Sequence, residues 1–300
     1  MMSPGPCSML ILSFMLAYQE ERAIAFEHQP DRLRITVRGR WFADYVWNDP
    51  RIKRPYFAQI HAPNGTPVTR NQPPIVGRDA TDHDTMHPGL WLAFGDLSGA
   101  DFWRNQGTVQ QQEFVEPPRT EGSRGRFRTR NRYESQGRIV GDETRTIEIR
   151  VEPAGYLIDW RSEFRGASDL VFGDQEEMGL GVRVASDLVV ARGGKITNSA
   201  GRTNEREVWG QVADWCDFRG RSAGVLILPD PSNFRPSWFH ARDYGLLVAN
   251  PFGRNAFAKG ERSVVRVRPG EIFQLHFGIL IHNGELDAAK FYQDWRASGP

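Results

Sequence analysis

The most regular feature of this chain is the alternation of apolar and polar residues in short runs bounded by turns. In "RLRITVRG", which begins at residue 32, Leu33, Ile35 and Val37 alternate with arginines and a threonine. A period of two is typical of a β-strand with one buried face. The segment "TRTIEIRVEPAGYLIDWRSEF", from residue 144, predicts two strands joined by the turn "EPAG". From residue 24 onward, the pattern predicts strands rather than helices.

The rest of the chain repeats this pattern, with one exception near its end. "SAGVLILPDP", "YGLLVANPFG" and "EIFQLHFGILIH" are short apolar runs interrupted by proline and glycine. "ELDAAKFYQDWR" instead predicts a helix, because Ala288, Phe291 or Tyr292, and Trp295 fall on one stripe.

The number and spacing of these runs predict an all-β fold, a large antiparallel β-sandwich or supersandwich with one C-terminal helix. No fixed-period repeat is visible, which argues against a propeller or a solenoid. The stretch nearest to a linker, Val115 to Arg126, is interpreted as a long surface loop. Since all-β domains often reach about 200–250 residues, we expect residues 21–300 to form a single domain.

Composition narrows the possible partners. The chain has 300 residues and a net charge of +1, so nothing draws it as a whole to nucleic acid or to an anionic membrane. Its 9 tryptophans, 30 glycines and 19 prolines favour short strands and turns over a helical bundle. Only Cys7 and Cys216 carry thiols, which excludes a disulfide framework and a cysteine-based zinc site.

Residues 1–20 differ in character from the rest. The apolar run from Met9 to Ala17 resembles the core of a secretory signal peptide, although no lysine or arginine precedes it. It is too short for a transmembrane helix, which needs about 20 apolar residues. We expect residues 1–20 to be a cleaved signal peptide or a disordered tail. The first alternative predicts a periplasmic or secreted protein, and the second a cytoplasmic one.

The stretch "DHDTMHPGLWLAFGD", Asp82 to Asp96, is the densest in chemically active side chains. His83 and His87 are four residues apart, but Pro88 directly after them ends any helix that would aim both at one metal. In a loop they could still converge, with Asp82 orienting or joining them. Three interpretations stay open: a metal site, a metal-free acid–base histidine in a cleft, or a turn that leads "LWLAF" into the core. We favour the second.

The stretch "QEEMGLGVRVA", Gln175 to Ala185, places two glycines between an acid and an arginine. In an extended chain, Glu177 and Arg183 share one face with both glycines, whereas Glu176 falls on the opposite, apolar face. Bare backbone between a carboxylate and a guanidinium could carry a planar or ring-shaped ligand. The alternative is a salt bridge across the glycines on a solvated face.

The stretch "RPSWFHARDYG", Arg235 to Gly245, puts Trp238, His240 and Arg242 on one side of a strand. This combination suits a sugar site, since a ring can stack on the tryptophan, the histidine can move a proton and the arginine can hold an anionic or hydroxyl group. The alternative is a core tryptophan beside a satisfied surface histidine.

Other residues are candidates for lining the same pocket. His276 shares a strand face with His282 and a glycine, which also fits a strand at the rim of a sheet. Asp101, Trp103 and Arg104 follow the first stretch closely and could flank it.

The stretch "SRGRFRTRNRY" carries arginines at every second position from Arg124 to Arg132. A surface for nucleic acid would need aromatic residues on the same face and a basic domain, and neither is present. Cross-strand ion pairs with Glu148 and Glu152 explain the arginines, so we expect a structural role.

Three stretches resemble a known family in the same order along the chain. They are "PYFAQIHAPNGTPVTRN", "HPGLWLAFGDLSGADFW" and "WFHARDYGLLVANPFG". They resemble a bacterial family of unknown function labelled "methane oxygenase PmoA-like", over nearly the whole chain after residue 25. Family members carry a denser cluster, Asp-His-Pro-His-His, and a further histidine where this chain has Phe94.

The resemblance implies a neighbourhood of secreted, carbohydrate-processing proteins and a sandwich-type fold similar to galactose mutarotase. It also implies a function for Glu177 and Arg183, because a glutamate and an arginine recur in the family with the same glycine spacing. The oxygenase label is not the leading hypothesis, because the membrane-embedded methane monooxygenase subunit needs spanning helices and this sequence has none.

The leading hypothesis is a carbohydrate-active enzyme, a hydrolase, lyase or epimerase, that uses His/Glu acid–base chemistry with arginines holding a small-molecule or oligosaccharide substrate. Hydrolysis would need two carboxylates across the bond, whereas a histidine and one acid suffice for epimerisation or elimination. The catalytic candidates are His240, Glu177, His87 and His83, and the substrate-binding candidates are Arg183, Arg242, Trp238, Asp101, Trp103 and His276.

Two alternatives come from other classes. One is a non-catalytic carbohydrate-binding protein that uses Trp238 and the glycine backbone as platforms. The other is a metal-dependent oxygenase in which His83, His87 and Asp82 hold a divalent metal. Apart from that metal, no cofactor is expected, and no nucleic-acid partner.

Overall fold

The computed structural model describes residues 23–298, which form two antiparallel sheets packed face to face, with a small two-stranded sheet beside them. The strands, numbered along the chain, are β1 (Ile24–His28), β2 (Arg32–Val37), β3 (Arg40–Val46), β4 (Tyr56–Ala58), β5 (Leu90–Phe94), β6 (Thr108–Glu121), β7 (Arg124–Ser135), β8 (Arg138–Glu152), β9 (Gly155–Arg165), β10 (Leu170–Phe172), β11 (Met178–Arg183), β12 (Lys195–Asn198), β13 (Gln211–Val212), β14 (Cys216–Arg219), β15 (Gly224–Pro229), β16 (Trp238–Arg242), β17 (Leu246–Asn250), β18 (Val265–Val267) and β19 (Phe273–His282). The helices are α1 (Asn204–Val208), α2 (Arg254–Ala258) and α3 (Ala288–Ala297), with 3₁₀ turns at Ser186–Leu188 and Val190–Arg192.

The strand order shows how distant parts of the chain become neighbours. The nine-stranded sheet runs β1-β2-β3-β4-β5-β11-β17-β16-β13, and the eight-stranded sheet runs β12-β14-β15-β19-β9-β8-β7-β6. The neighbouring strands β5, β11, β17 and β16 come from three separate regions of the sequence, since β16 and β17 are consecutive. This arrangement places the predicted site segments side by side.

The main core lies between the two sheets. Tyr45 of β3 packs against Phe127 of β7 with ring centroids 5.0 Å apart, and Phe57 of β4 packs against Trp160 of β9 at 5.8 Å. All four side chains belong to one buried cluster that draws on both sheets. Removal of this apolar surface from water is the main contribution to the stability of the sandwich.

The fold predicted from the sequence is confirmed at this level. Every pairing between the strands described is antiparallel. Leu33, Ile35 and Val37 are buried at alternate positions of β2, and the predicted "EPAG" turn joins β8 to β9. The two five-residue helices α1 and α2 were not predicted.

The C-terminal helix lies where the sequence predicts it, on the outer face of the eight-stranded sheet. Asp287 caps its N-terminus by accepting a hydrogen bond from the backbone N–H of Lys290 at 2.9 Å. Ala288, Tyr292 and Trp295 form the buried stripe, packed against leucines of β9, β15 and β19.

The expected surface loop at Val115–Arg126 is wrong. Strand β6 continues to Glu121 and β7 begins at Arg124, so the segment is a long hairpin with a tight turn. Pro117 and Pro118 are tolerated because β6 is an edge strand of its sheet, where one side of the backbone needs no partner. Shifts in the register of β6 and β7 accommodate them.

The arginine ladder on β7 is a set of cross-strand ion pairs, although most partners are not the predicted ones. Phe127 and Tyr133 point into the core, so the arginines face outward. Glu116, Glu113 and Asp142 take most of the pairs, and Glu148 takes the one at Arg124. The distances are 2.9 Å for Arg128–Glu116, 2.9 Å for Arg130–Glu113, 3.0 Å for Arg132–Asp142 and 3.8 Å for Arg124–Glu148.

Residues 1–20 and Cys7 lie outside the described part of the chain, so the predicted signal peptide or tail stays a prediction. Within residues 23–298, no helix is long and apolar enough to span a membrane.

Candidate active site

Four neighbouring strands of the nine-stranded sheet bring candidate residues onto its outer face. In the register, Gly181 of β11 lies between Trp91 of β5 and Val248 of β17. Val248 in turn lies beside His240 of β16. Since neighbouring strands are about 4.8 Å apart, the backbones of Gly181 and His240 are about 10 Å from each other.

A second row runs parallel to the first, two residues further along. Arg183 of β11 and Arg242 of β16 are both paired with Leu246 of β17. Their backbones are therefore also about 10 Å apart. The residues that alternate with them, including Val182 and Ala241, belong to the core between the sheets, so both arginines lie on the opposite, outer face.

The loop between Arg70 and Pro88 folds over these rows, and two buried arginines hold it. Arg54 donates hydrogen bonds to the backbone carbonyl of Met86 and to that of Trp103, which ties the loop to the segment after β5. Arg70 donates to four backbone carbonyls of the loop, those of Ala80, Asp82, His83 and His87.

Both of these arginines are charged at neutral pH despite their burial. Burial lowers the pKa of Arg54 to about 9. Burial, together with the nearby charge of Arg183, lowers the pKa of Arg70 to about 10. Each guanidinium thus gives the loop charge-assisted hydrogen bonds, the stronger kind.

Asp82 connects this loop to the sheet. Its two carboxylate oxygens accept hydrogen bonds from Arg183 at 3.0 and 2.8 Å, and one of them is 3.6 Å from Arg70. Although burial acts to raise it, hydrogen bonds from Arg183 and His83 bring the pKa of Asp82 down to about 2. Asp82 is therefore a carboxylate throughout the physiological range.

The same carboxylate sets the tautomer of His83. Nδ1 of His83 is 2.9 Å from Oδ2 of Asp82. Because an ionised carboxylate can only accept, Nδ1 carries a proton, and in the neutral ring Nε2 therefore keeps its lone pair. The His83 side chain is 41% exposed, so a ligand can reach Nε2. Its φ of 49° is a strained value for a residue other than glycine, as is found at functional sites.

His87 lies deeper than His83, in a stack of rings. Its ring centroid is 4.9 Å from that of His83 and 5.3 Å from that of Trp91. Trp103 donates its indole N–H to Nε2 of His87 at 3.4 Å. Burial, with the positive charges of the surrounding arginines, lowers the pKa of His87 to about 2, so this imidazole is neutral.

His240 is also buried, and both of its ring nitrogens are engaged. Nε2 accepts a hydrogen bond from Arg242 at 3.0 Å, and Nδ1 lies 3.3 Å from the backbone carbonyl of Glu176. Burial, with the charge of Arg242, lowers the pKa of His240 to about 4. A neutral ring whose lone pair is already used orients Arg242 rather than accepting a substrate proton.

Arg242 carries the polar contacts on this side of the face. It donates to Glu205 at 2.8 Å and lies 3.6 Å from the carboxylate of Glu176. Trp238 is on the same face of β16. The guanidinium carbon of Arg235 lies 5.8 Å from the ring centroid of Trp238.

Glu177 and Asp101 form a separate pair of acids around one arginine. Arg104 forms an ion pair with the carboxylate of Glu177 and another with Asp101 at 2.8 Å. Trp103, which lies between Asp101 and Arg104 in the sequence, is fully buried and donates a hydrogen bond to His87. Glu177 thus lies just before β11, with its carboxylate on Arg104, whereas its neighbour Glu176 is the residue that contacts His240.

The two glycines of β11 do not leave a bare platform, contrary to the expectation from their spacing. A Cβ on Gly181 would lie 2.7 Å from the ring of Trp91 and 3.2 Å from that of Trp103, so both indoles already cover it. Gly179 has φ of 106° and approaches the backbone oxygen of Ala249 so closely that a Cβ would be 2.2 Å away. The glycines allow close packing of the site's walls.

A cavity of about 240 Å³ opens beside Arg183. Arg70, Arg78, Arg192 and Tyr244 also line it. The guanidinium carbon of Arg183 lies 4.4 Å from the centroid of Tyr244, whose ring is 6.5 Å from that of His83.

The predicted metal triad has little support in this geometry. Asp82 is bound by Arg183, and the rings of His83 and His87 stack at 22° rather than converging on one point. Among residues 23–298, no three or more His, Cys, Asp or Glu side chains are grouped to hold a metal ion.

A family model described as "Family of unknown function (DUF6807)" matches residues 32–296. This chain belongs to the DUF6807 family. The expected membership of a family of unknown function is confirmed, and nothing in the match supports the label "methane oxygenase PmoA-like". No curated protein matches the chain.

Several solved structures are similar in fold to this DUF6807 protein. An α-galactosidase from Lactobacillus brevis matches at 8% identity and a TM-score of 0.45, over 91% of this chain and 42% of its own. A galactose mutarotase-like protein from Clostridium acetobutylicum matches at 8% identity and 0.44, over 87% and 98%. Another, from Lactobacillus casei, matches at 11% identity and 0.39, over 86% and 100%. At these scores, no substrate or reaction carries over to this chain.

The DUF6807 structure brings most of the predicted residues to one face. The members of this group are His83, His87, Asp82, Asp101, Trp103, Glu177, Arg183, Trp238, His240 and Arg242. His276 does not join them. It lies on the outer face of the eight-stranded sheet, 3.1 Å from Asp159 and 2.8 Å from Asp230, with its ring 5.5 Å from that of Trp295 in α3.

Four functional candidates were missed by the sequence. Glu176 was assigned to the core side by alternation, but β11 begins only at Met178, so the alternation does not extend to it. Glu205 lies in the short helix α1, and Arg54 lies outside the strands, directly before a proline. At neither position does a periodic pattern indicate a functional residue. Tyr244 follows the "WFHAR" strand. An aromatic residue next to a turn was the one feature of the sequence that could have indicated its place in the site.

Proposed function

We propose that this DUF6807 protein is a carbohydrate-active enzyme in which His83 abstracts a proton from a sugar or sugar-derived substrate, as in a lyase or an epimerase. The observation that carries the proposal is the Asp82–His83 pair. Asp82 holds Nδ1–H at 2.9 Å and leaves Nε2 of a 41% exposed ring as a proton acceptor. A base that is oriented by a third group is the usual arrangement for acid–base catalysis.

Arg183 has a positioning role in this scheme. By binding both oxygens of Asp82 it keeps the carboxylate ionised and fixed, which in turn fixes the imidazole. His240 has a similar role on the other side, where it orients Arg242. This assignment revises the sequence-based one, in which His240 was itself a candidate base.

The substrate would lie across the face between the loop and β16. The backbone separation of about 10 Å between the two arginine positions is comparable to the length of one or two sugar rings. On the far side, Arg242, Glu176 and Trp238 offer hydrogen bonds and a flat apolar surface of the kind that sugars use. This part of the site would also serve a protein that only binds carbohydrate.

The test is conversion of a panel of glycans and sugar acids by wild-type protein and by His83→Gln. We expect the variant to lose turnover by a factor of about 10²–10⁴ with little change in ligand affinity. The matched control is His28→Gln, since His28 lies on β1 and packs against Trp47 at 5.2 Å, away from the site. Binding without conversion by the wild type would favour the non-catalytic alternative, and undiminished turnover in His83→Gln would overturn the assignment.

A further inference from the structure

Three buried arginines lie close to His87. Arg54, Arg70 and Arg183 are each no more than 2% exposed. In the described chain, the ion pairs of Arg70 and Arg183 both go to one carboxylate, that of Asp82, and Arg54 forms none. Arg54 has only carbonyl and amide oxygens as partners. A buried charge without a counter-charge is costly, so the region is electrostatically suited to an additional anion.

The same region has hydrogen-bond donors without acceptors. Between residues 23 and 298, no partner is found for Nε of Arg54, Nε of Arg70 or the indole N–H of Trp91, all of which are buried. The Nδ1 of His87 is a fourth case. Because the indole of Trp103 can only donate to Nε2 of His87, Nδ1 carries the proton and is also a donor. Buried donors are almost always paired, so these point to a ligand that brings acceptors.

A cavity adjoins two of these arginines, Arg70 and Arg183. Arg70 and Arg183 line the 240 Å³ space, and Arg78 and Arg192 stand at its exposed side. None of the described residues that line it is acidic. Tyr244, which also lines it, is the residue that connects this space to the ring of His83.

We propose that this cavity binds the carboxylate of the substrate, so that the natural substrate is a uronic acid or an oligosaccharide that contains one. This inference rests on the proposed function and names its substrate class. The fork of Arg183 is occupied by the carboxylate of Asp82, so the unpaired Nε of Arg70, with Arg78 and Arg192, is left to bind the carboxylate of the substrate.

The chemistry of a uronic acid agrees with the position of His83. The hydrogen on the carbon next to the carboxylate is the acidic one, and His83 Nε2 takes it as a proton. The electron pair left on that carbon delocalises into the carboxylate, where the arginines stabilise the added charge. In elimination the pair then forms a carbon–carbon double bond as the bond from the adjacent ring carbon to the glycosidic oxygen breaks, and the leaving oxygen takes a proton from water. In epimerisation the carbon takes a proton from water on the other face.

The experiment measures the affinity of the full chain for galacturonate, glucuronate, galactose, glucose and inorganic sulfate by calorimetry. We expect the uronates to bind at least tenfold more tightly than the neutral sugars. The variant Arg78→Gln/Arg192→Gln changes only exposed side chains at the cavity, so it should fold, and it should weaken uronate binding about tenfold without altering neutral-sugar binding. The control is Arg206→Gln, whose side chain is 92% exposed and does not line the cavity.

Three results would overturn the inference: equal affinity for uronates and neutral sugars, uronate binding unaffected by the double variant, or sulfate binding as tightly as the uronates. The last would indicate a general anion site. Failure of the proposed function is distinguishable, because uronates would then bind as expected while His83→Gln left turnover unchanged.

Discussion

Asp82 is the residue on which most of the site depends. One carboxylate fixes Arg183, lies within reach of Arg70 and holds the proton of His83. Asp82 lies in a loop, and in a loop no periodic pattern predicts where a side chain points. The sequence therefore indicated that Asp82 and His83 belong to an active stretch, but not that the aspartate binds an arginine 101 positions away.

Replacement of Asp82 by asparagine should destabilise the protein. The change leaves two buried guanidiniums without their shared carboxylate. Loss of one partner of a fully buried ion pair lowers the free energy of unfolding by about 3–5 kcal/mol. We expect a loss of about 2 kcal/mol here, because solvent screens the partly exposed Asp82. Urea unfolding measures the difference.

The matched control is Asp84→Asn, two residues away in the same loop. Asp84 pairs with Arg51, an exposed side chain, so its loss should cost less than about 1 kcal/mol. Equal losses for the two variants would show that Asp82 is not a structural link.

At the scale of single elements, strand alternation was the reliable signal and strand ends were not. It correctly put Trp238, His240 and Arg242 on one face and Phe239 in the core. It failed for Glu176, just before β11. The loop predicted at Val115–Arg126 was wrong because Pro117 and Pro118, which would end a central strand, are accommodated at a sheet edge.

Gly181→Ala tests how tightly the site's wall is packed. The new methyl group would lie 2.7 Å from Trp91, whose ring is held between the sheet and His87. Overpacking of this kind costs about 1–3 kcal/mol. The control Gly260→Ala has only a flexible arginine at 3.5 Å and should change the free energy of unfolding by under about 1 kcal/mol. A neutral effect of Gly181→Ala would mean that the indoles have room to move.

His276 predicts a pH-dependent contribution to stability from the outer face of the other sheet. Although burial acts to lower it, the hydrogen bonds that His276 donates to Asp159 and Asp230 raise the pKa of His276. His276 is surrounded by these two acids, by the ring of Trp295 and by the two arginines that pair with Asp159, which are Arg150 and Arg161. A raised folded-state pKa stabilises the protein fully below about pH 6.5, and the contribution is lost as pH rises through the folded value.

We therefore expect His276→Gln to cost about 2 kcal/mol at pH 6 and clearly less at pH 9. Urea unfolding at both pH values gives the comparison. A penalty that stays constant between the two values, or grows with pH, would contradict an imidazolium held by two carboxylates.

At the scale of the whole molecule, a buried ion pair joins the sheets. Arg145 and Glu143 of β8 bond at 2.8 Å, and both are essentially inaccessible to solvent. Arg145 reaches the hydroxyl of Tyr45 in the other sheet at 3.4 Å, and Ser162 donates to Glu143 at 2.5 Å. The sequence showed the sandwich but not this contact, because neither residue carries a pattern that distinguishes buried from exposed charge.

Glu143→Gln should cost about 3–5 kcal/mol, since it leaves the guanidinium of Arg145 buried without a counter-charge. The double variant Glu143→Leu/Arg145→Met removes both charges and should cost less than the single one. Thermal or urea unfolding decides the order, and a double variant that is less stable than Glu143→Gln would show that the pair contributes net stability.

The convergence of separate segments could not be read from the sequence. Residues of β5, β11 and β16 meet only because the sheet order places β11 beside β5 and β17 beside β16. Strand order depends on long-range packing, which local periodicity does not contain. The family resemblance indicated which segments matter, and the register shows how they meet.

The measurement that tests the central claim most directly is a double-mutant cycle on kcat with Asp82→Asn, His83→Gln and both together, on the substrate that the wild type converts. If Asp82 acts through His83, each single variant should lose a large factor, and the double variant should be no slower than His83→Gln alone. Losses that multiply would contradict this account, because they would show that the two residues act independently and are not one catalytic pair.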